Sequence, residues 1–333
     1  MPESTEKSLL ALTGATGFVG AHVLRAALEA GWRVRALARA PARLPALPGL
    51  EAVPGHLEDE AALERLMEGA STAIHLAGLV AAARREDFHR INAEGARATA
   101  RAARQAGVPR FVHVSSLAAR EPRLSPYAAS KRASEEMVAA ALADAPGAGF
   151  VILRPPAVYG PGDRATLGLV DQLSRRRALL PGRPDMRLSL IHVSDLAKAL
   201  LHLAAGTQAE GETLEMDDGR PGGYTWPELA EEAGRALGRE VRLTLLPRPL
   251  VRLAAAGADA ASRLTGRAFM LSAAKVNELY HPDWLARPPR MQERTAWRPR
   301  IGFAEGFRAT LQWYCEQGWL PAGRLPRKGE GRP

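Results

Sequence analysis

Leu9-Leu10-Ala11-Leu12-Thr13-Gly14-Ala15-Thr16-Gly17-Phe18-Val19-Gly20 runs from a short apolar stretch through three evenly spaced glycines into an amphipathic pattern. A glycine-rich turn between a strand and a helix sets backbone N–H groups and the positive helix end against a pyrophosphate. Gly14, Thr16, Gly17, Phe18 and Val19 are therefore expected to hold a dinucleotide. Further strand-like runs follow at Val34–Ala38, Glu51–Val53, Ala73–Leu76, Phe111–Val114 and Phe150–Leu153. Helical patterns lie between them at Phe18–Ala30, Glu60–Glu68, Arg85–Ala106 and Pro126–Leu142, with Gly31, Gly69 and Gly107 at helix ends. Such alternation predicts an α/β fold, a doubly wound parallel sheet with helices on both faces.

The texture changes after Arg154. Pro155-Pro156, Gly160-Pro161-Gly162 and Pro181 to Pro184 mark loops, and helices are expected at Thr166–Arg177, Ser194–Leu203, Pro227–Leu237, Pro249–Leu264 and Ala304–Gln317. The chain thus divides into a nucleotide-binding core (1–154), a smaller mixed α/β substrate lobe with some return to the core (155–322), and a disordered basic tail (323–333). Pro249–Leu264 is apolar and spiked with arginine; it reads as core or pocket lining, with an interfacial helix as the alternative.

The 333 residues are 46% hydrophobic, enough for one large core with a lobe. A single cysteine, Cys315, excludes an intrachain disulfide, and together with a short polar N-terminus it points to the cytoplasm. No apolar stretch is long enough to span a membrane. The net charge of +9 comes from scattered arginines without aromatic interleaving, so nucleic acid is not the expected partner. Eight histidines and one cysteine show no metal-ligand spacing, so no metal is expected.

Tyr127-Ala-Ala-Ser-Lys131 carries the chemistry. Residues four apart share a helix face, so the Lys131 ammonium is expected near the Tyr127 phenol, lowering its pKa toward a value suited to proton transfer. A hydride carrier upstream and a proton donor here define a carbonyl/alcohol oxidoreductase acting on a small molecule. Cofactor type is read at the end of the second strand, where an acid pairs with ribose hydroxyls and an arginine suits a 2′-phosphate. Ala38 stands at the acid's place, Arg39 follows, and no carboxylate occurs from Arg33 to Leu50, so NADP(H) is expected over NAD(H).

Together these motifs resemble the short-chain dehydrogenase/reductase superfamily and its extended branch, the NAD(P)-dependent epimerase/dehydratase family of Rossmann-type enzymes. His75-Leu76-Ala77-Gly78, Val114-Ser115-Ser116, Leu153 to Gly160 and Ile191 to Ala197 extend the likeness over nearly the whole chain. The resemblance implies that Tyr127 is general acid/base, that Ser116 holds the substrate oxygen while Ser115 shapes the turn, and that Lys131 holds the nicotinamide ribose. It implies that Asn92 tunes its helix and the proton path. It also implies that Leu57 packs near adenine (His56 replacing the usual acid), and that Leu76, Ala77 and Gly78 approach the cofactor. Pro155 to Val158 would meet the nicotinamide, whereas Ser194 or Asp195 suits capping and neither His192 nor Asp195 is expected to be catalytic. Relatives dimerise through a four-helix bundle, for which Arg85–Ala106 and Pro126–Leu142 are the candidates.

Only ten residues separate Ser116 from Tyr127, shorter than in relatives acting on sugar nucleotides. Ala157 and Leu188 stand where those relatives carry Asn and Arg, although Arg187 lies beside Leu188. An apolar carbonyl or alcohol substrate is expected, on the hydroxysteroid dehydrogenase and dihydroflavonol reductase side of the branch. A sugar-nucleotide epimerase, dehydratase or reductase, and an NADP(H) sensor or assembly protein without turnover, are the alternatives.

Overall fold

The computed structural model describes residues 8–143, 147, 149–265 and 271–326. Its first half holds β1 (Leu9–Thr13), α1 (Phe18–Glu29), β2 (Arg33–Ala38), β3 (Leu50–Pro54), α2 (Glu60–Met67) and β4 (Thr72–His75). A continuous rod follows: α3 (Arg85–Phe88), a π-helical turn (His89–Glu94) and α4 (Gly95–Gln105). Then come β5 (Arg110–Val114), α5 (Pro126–Leu142) and β6 (Gly149–Arg154). The second half holds β7 (Ala157–Tyr159), α6 (Leu167–Leu173), β8 (Arg177–Pro181), β9 (Arg187–Leu188), β10 (Leu190–His192), α7 (Val193–Ala205) and β11 (Thr213–Glu215). It continues with α8 (Trp226–Leu237), β12 (Arg242–Leu246), α9 (Arg248–Thr265), α10 (Ala273–Leu279), β13 (Asp283–Trp284), α11 (Met291–Arg294) and α12 (Phe303–Glu316).

Seven strands form one parallel sheet in the order β11-β6-β5-β4-β1-β2-β3. The order reverses between β1 and β4, so a crevice opens there at the carboxyl ends of the strands. Side chains alternate across a strand, and β1 divides accordingly. Leu10 and Leu12 enter a core with Val23 and Leu24 of α1 and Leu196 and Leu200 of α7. Leu9 and Ala11 enter the opposite core, with Leu63 of α2, Ala100 of α4 and Val138 of α5. Both faces are covered, as the alternating sequence pattern predicts.

α7 and β11 lie after Arg154 yet belong to the covering layer and the sheet edge, the expected return of the second half to the core. The lobe has its own apolar cluster, built by α6, β8, α8 and α12 around Leu173, Leu180, Leu229 and Phe307. Here the structure corrects the sequence reading. The expected helix Thr166–Arg177 stops at Leu173, and Arg177–Pro181 is a strand paired with β12. Its Ala178 and Leu180 are buried while Arg177 and Leu179 are exposed, a period of two rather than 3.6. Within the expected tail, Arg324 pairs with Asp171 at 2.8 Å; residues 327–333 lie outside the described residues. Among the described residues no helix is long and apolar enough to cross a membrane.

Candidate active site

The glycine turn is built by close backbone approach. Gly14 has φ +79°, and a Cβ there would lie 2.8 Å from the Ala77 nitrogen. A Cβ on Gly20 would lie 2.0 Å from the Gly14 carbonyl oxygen, so α1 is pressed onto the turn. Thr13 Oγ1 accepts N–H bonds from Leu76 and Ala77, both at 3.2 Å, and pairs with His75 Nδ1 at 2.8 Å. Thr16 and Gly17 are exposed at the α1 N-terminus, with Phe18 and Val19 half-buried behind them. This bare backbone cradle at a helix start suits a dinucleotide pyrophosphate.

α5 carries Tyr127 and Lys131 one turn apart. Ser125 caps the helix by accepting from the Ala128 N–H at 3.0 Å, and Pro126 opens its first turn, which places Tyr127 at the crevice. One turn on, Lys131 Nζ donates to the Val114 carbonyl at 2.9 Å, where β5 ends. Ser116 follows that strand and caps a short 3₁₀ turn, its Oγ accepting from the Ala118 N–H at 3.2 Å. Leu117 N–H donates to the Pro155 carbonyl at 3.0 Å, which stitches the Ser116 loop to the end of β6. Tyr127, Ser116 and Lys131 thus meet at the carboxyl edge of the sheet, beside Gly78.

Electrostatics correct one expectation. Burial pushes the Tyr127 phenol up to about 12; a hydrogen bond from Ser116 opposes this and Glu278 reinforces it. Lys131 is itself pushed down to about 8 by burial, with Glu135 acting against the shift. The ammonium points into the sheet at Val114, so desolvation outweighs the expected lowering of the phenol. Beneath Lys131, His75 and His113 stack at 5.5 Å between ring centroids. Burial drives His75 down to about 3 and His113 well below its ordinary value, so both stay neutral beside the ammonium.

Asn92 sits in the π turn, where the widened helix presents it inward. It is a clamp rather than a cap. Its Oδ1 accepts from Leu79 N–H at 2.6 Å, and its Nδ2 donates to Leu79 O at 3.0 Å and to Ser130 Oγ at 2.9 Å. The loop after β4 is thereby fastened to α5. Ser115 does more than shape its turn, donating to Glu135 Oε1 at 2.5 Å.

Other expected residues are scattered along the same edge. Arg39 and His56 are exposed after β2 and β3. Leu57 is buried, turned toward Gly95 in α4, so its side chain belongs to the core. Val158 is half-buried and Ala157 exposed. Leu188 is buried, whereas Arg187 is exposed and donates to the Gly222 carbonyl at 2.8 Å. His192 caps α7 by accepting from Ser194 N–H, while Asp195 anchors Arg300 and Ile301 N–H at 2.8 Å. No group of three metal-ligating side chains occurs among the described residues.

Two parts of the site escaped sequence reasoning. Arg154 donates to both Glu135 oxygens at 2.8 and 2.6 Å, and Glu215 receives Arg120 at 3.1 Å with Arg154 at 3.5 Å. Four buried charges thus tie α5, β6, β11 and the Ser116 loop together. The spacing of Glu135 four residues after Lys131 was the one available signal. From far along the chain, α10 brings Lys275 Nζ 5.7 Å from the Tyr127 ring centroid. Glu278 accepts from Ser125 and pairs with Lys275 at 2.6 Å, while Asn277 donates to Leu124 O at 3.2 Å. No local signal announces this latch.

A nucleotide cradle at a topological switch point beside a Ser/Tyr/Lys cluster defines the class of dinucleotide-dependent oxidoreductases. The chain belongs to the NAD dependent epimerase/dehydratase family, whose profile matches residues 10–216, and so to the extended short-chain dehydrogenase/reductases, which are NAD(P)-dependent enzymes. It is 45% identical over 321 residues to a protein named ceramide reductase from Caulobacter vibrioides, covering 95% of this chain and 97% of the relative. It is 27% identical over 247 residues to a 3-beta-hydroxysteroid dehydrogenase from Mycolicibacterium neoaurum, covering 65% and 67%. Among solved structures, a UDP-glucose 4-epimerase with UDP-glucose from Thermotoga maritima superposes with TM-score 0.70 at 18% identity, covering 93% of this chain and 99% of that one. That last likeness shows the fold alone.

Removing Glu135 takes the acceptor from the Ser115 hydroxyl and leaves the Arg154 guanidinium only its longer contact to Glu215 at 3.5 Å. Glu135→Ala is expected to lower unfolding stability by about 3 kcal/mol. Urea titration checks it, and a variant as stable as the parent would show that the network is energetically idle.

Proposed function

We propose that this protein is an NADP(H)-dependent reductase of a carbonyl group on a long-chain lipid of the ceramide class. The observation that carries the reading is the meeting of the Tyr127 phenol, the Ser116 hydroxyl and Lys131 at the mouth of the crevice. Likeness to a ceramide reductase along the full length supports the substrate class. So does the apolar surround: Phe88 stands edge-on to Tyr127 at 6.2 Å, and the loop fastened by Asn92 continues into Val80, 57% exposed. Buried Leu188 and outward-facing Arg187 supply no cation for a sugar diphosphate, which would be left poorly paired.

In this mechanism Ser116 donates a hydrogen bond to the substrate oxygen and Tyr127 delivers the proton to it. Because burial raises the phenol, Tyr127 keeps its proton throughout the neutral range, as a donor for reduction requires. Lys131 would hold the nicotinamide ribose, and Gly14, Thr16, Gly17, Phe18 and Val19 the pyrophosphate. Leu76, Ala77, Gly78, Pro155 and Val158 line the crevice edge, and the backbone at Leu57 borders the adenine end. The bound dinucleotide supplies the hydride. Arg39, exposed at the end of β2 with no acid nearby in sequence, would meet a 2′-phosphate. The four-helix dimer is part of the proposal: α4 and α5 lie side by side, with Arg104 donating to Ala141 O at 3.2 Å.

Purified protein with NADPH and a ketone analogue of a ceramide should consume the cofactor, and Tyr127→Phe should cut kcat by at least about a thousandfold while leaving NADPH binding intact. Turnover of UDP-sugars but of no apolar ketone would overturn the substrate class, and a fully active Tyr127→Phe the mechanism. Arg39→Asp should raise the KM for NADPH by more than about tenfold and leave that for NADH little changed; an unaltered ratio removes Arg39 from cofactor choice. Lys131 is charged below about pH 8 and neutral above it, whereas Tyr127 remains a phenol to about 12. Reductive kcat/KM should therefore fall as pH rises through about 8, and Lys131→Arg, whose guanidinium keeps its charge, should abolish that limb. A limb that persists in the variant belongs to another group.

A further inference from the structure

α9 has two apolar faces, and the body of the protein covers one of them. Val251 and Ala255 are buried in a small cluster with Val276 of α10 and Tyr280 just after it, flanked by Leu246, Leu271 and Leu279. At 100° per residue, Leu250, Leu253, Gly257 and Ala260 fall on the side turned away from that pair. All four are exposed, with Leu250 at 58% and Leu253 at 73% of their full surface. Arg252, also exposed, borders this stripe, whereas Arg248 is turned to the covered side and donates to Asn277 Oδ1 of α10 at 2.8 Å. The one carboxylate of the helix, Asp259, is turned toward the body and accepts from the Ala273 N–H at 3.0 Å.

Other exposed large apolar residues among those described, Leu47, Val80 and Leu179, stand singly on three separate segments. Two leucines on one helix face with an arginine margin form a continuous patch of the kind that marks an interaction surface. We propose that α9 docks in the plane of an anionic lipid bilayer, its leucines entering the headgroup boundary and Arg252 meeting lipid phosphates. Cationic and apolar groups share this face with no acid presented outward, which matches an anionic lipid surface better than an uncharged one. The net charge of +9 adds long-range attraction to the same surface.

α10 lies between α9 and the site, holding Ser125 through Glu278 and bringing Lys275 to Tyr127. A docked α9 therefore sets the mouth of the crevice close to the lipid. The inference stands on this surface and not on the reaction proposed above, so it is tested without substrate or cofactor.

The full chain is spun with vesicles of phosphatidylcholine mixed with phosphatidylglycerol, and with phosphatidylcholine alone. The parent should pellet with the anionic vesicles. The double variant Leu250→Glu/Leu253→Glu should bind them more than about tenfold more weakly, and Arg252→Glu more weakly than the parent. These side chains are solvent-facing, so both variants should keep the parent melting temperature. Equal pelleting of parent and double variant overturns the proposal, as does equal binding to neutral and anionic vesicles. A concentration-dependent dimer in gel filtration that the double variant abolishes would likewise overturn it, by assigning the face to a second copy of the chain.

Discussion

Three elements meet as bare backbone at Gly14, and the rest of the structure is arranged around that contact. β1 delivers the turn, α1 lies against its carbonyl through Gly20, and the chain leaving β4 presses on it at Ala77. A methyl group at Gly14 or Gly20 would force them apart. The close approach sets the start of α1 at the crevice between β1 and β4, and Thr13 fixes Leu76 and Ala77 along its wall. The glycine turn, the sheet's switch point and the floor beneath Lys131 share this one origin. A side chain at either glycine would therefore disturb the sheet and the crevice together.

Burial is the second constraint, and it acts on four titratable groups at the crevice. It raises Tyr127, lowers Lys131 and keeps His75 and His113 neutral. Charges that must remain there are held in pairs: Glu135 with Arg154, Glu215 with Arg120, and Glu278 with Lys275. Such pairs add little net stability but are costly to break, which fits their position across elements that must keep register. The site depends on them for geometry, while Ser116 touches the phenol directly.

Strand and helix positions of the first half were legible because each carries its own periodicity, and α5 was read to its residue limits at Pro126 and Leu142. The lobe was less so. Its strands are two to five residues long, too short to display a pattern, and β8 was missed because Ala178, Leu179 and Leu180 form an unbroken apolar run in sequence. α9 was read as lining from composition; which of its two apolar faces is covered depends on α10 and cannot be inferred from spacing.

The sequence by itself determined the parallel sheet, the glycine turn, and the presence of Tyr127 and Lys131 on one helix face, since all of these are local. Only the tertiary structure decided what surrounds them. Asn92 became a clamp because a π turn aims it at Leu79 and Ser130, and Leu57 became core because Gly95 leaves room for it. Glu278 reaches Ser125 across 153 residues. Burial and long-range pairing set the protonation of the phenol and the ammonium, and neither is written in the spacing of four residues between them. Desolvation depends on everything packed nearby, whereas a motif records only its own residues.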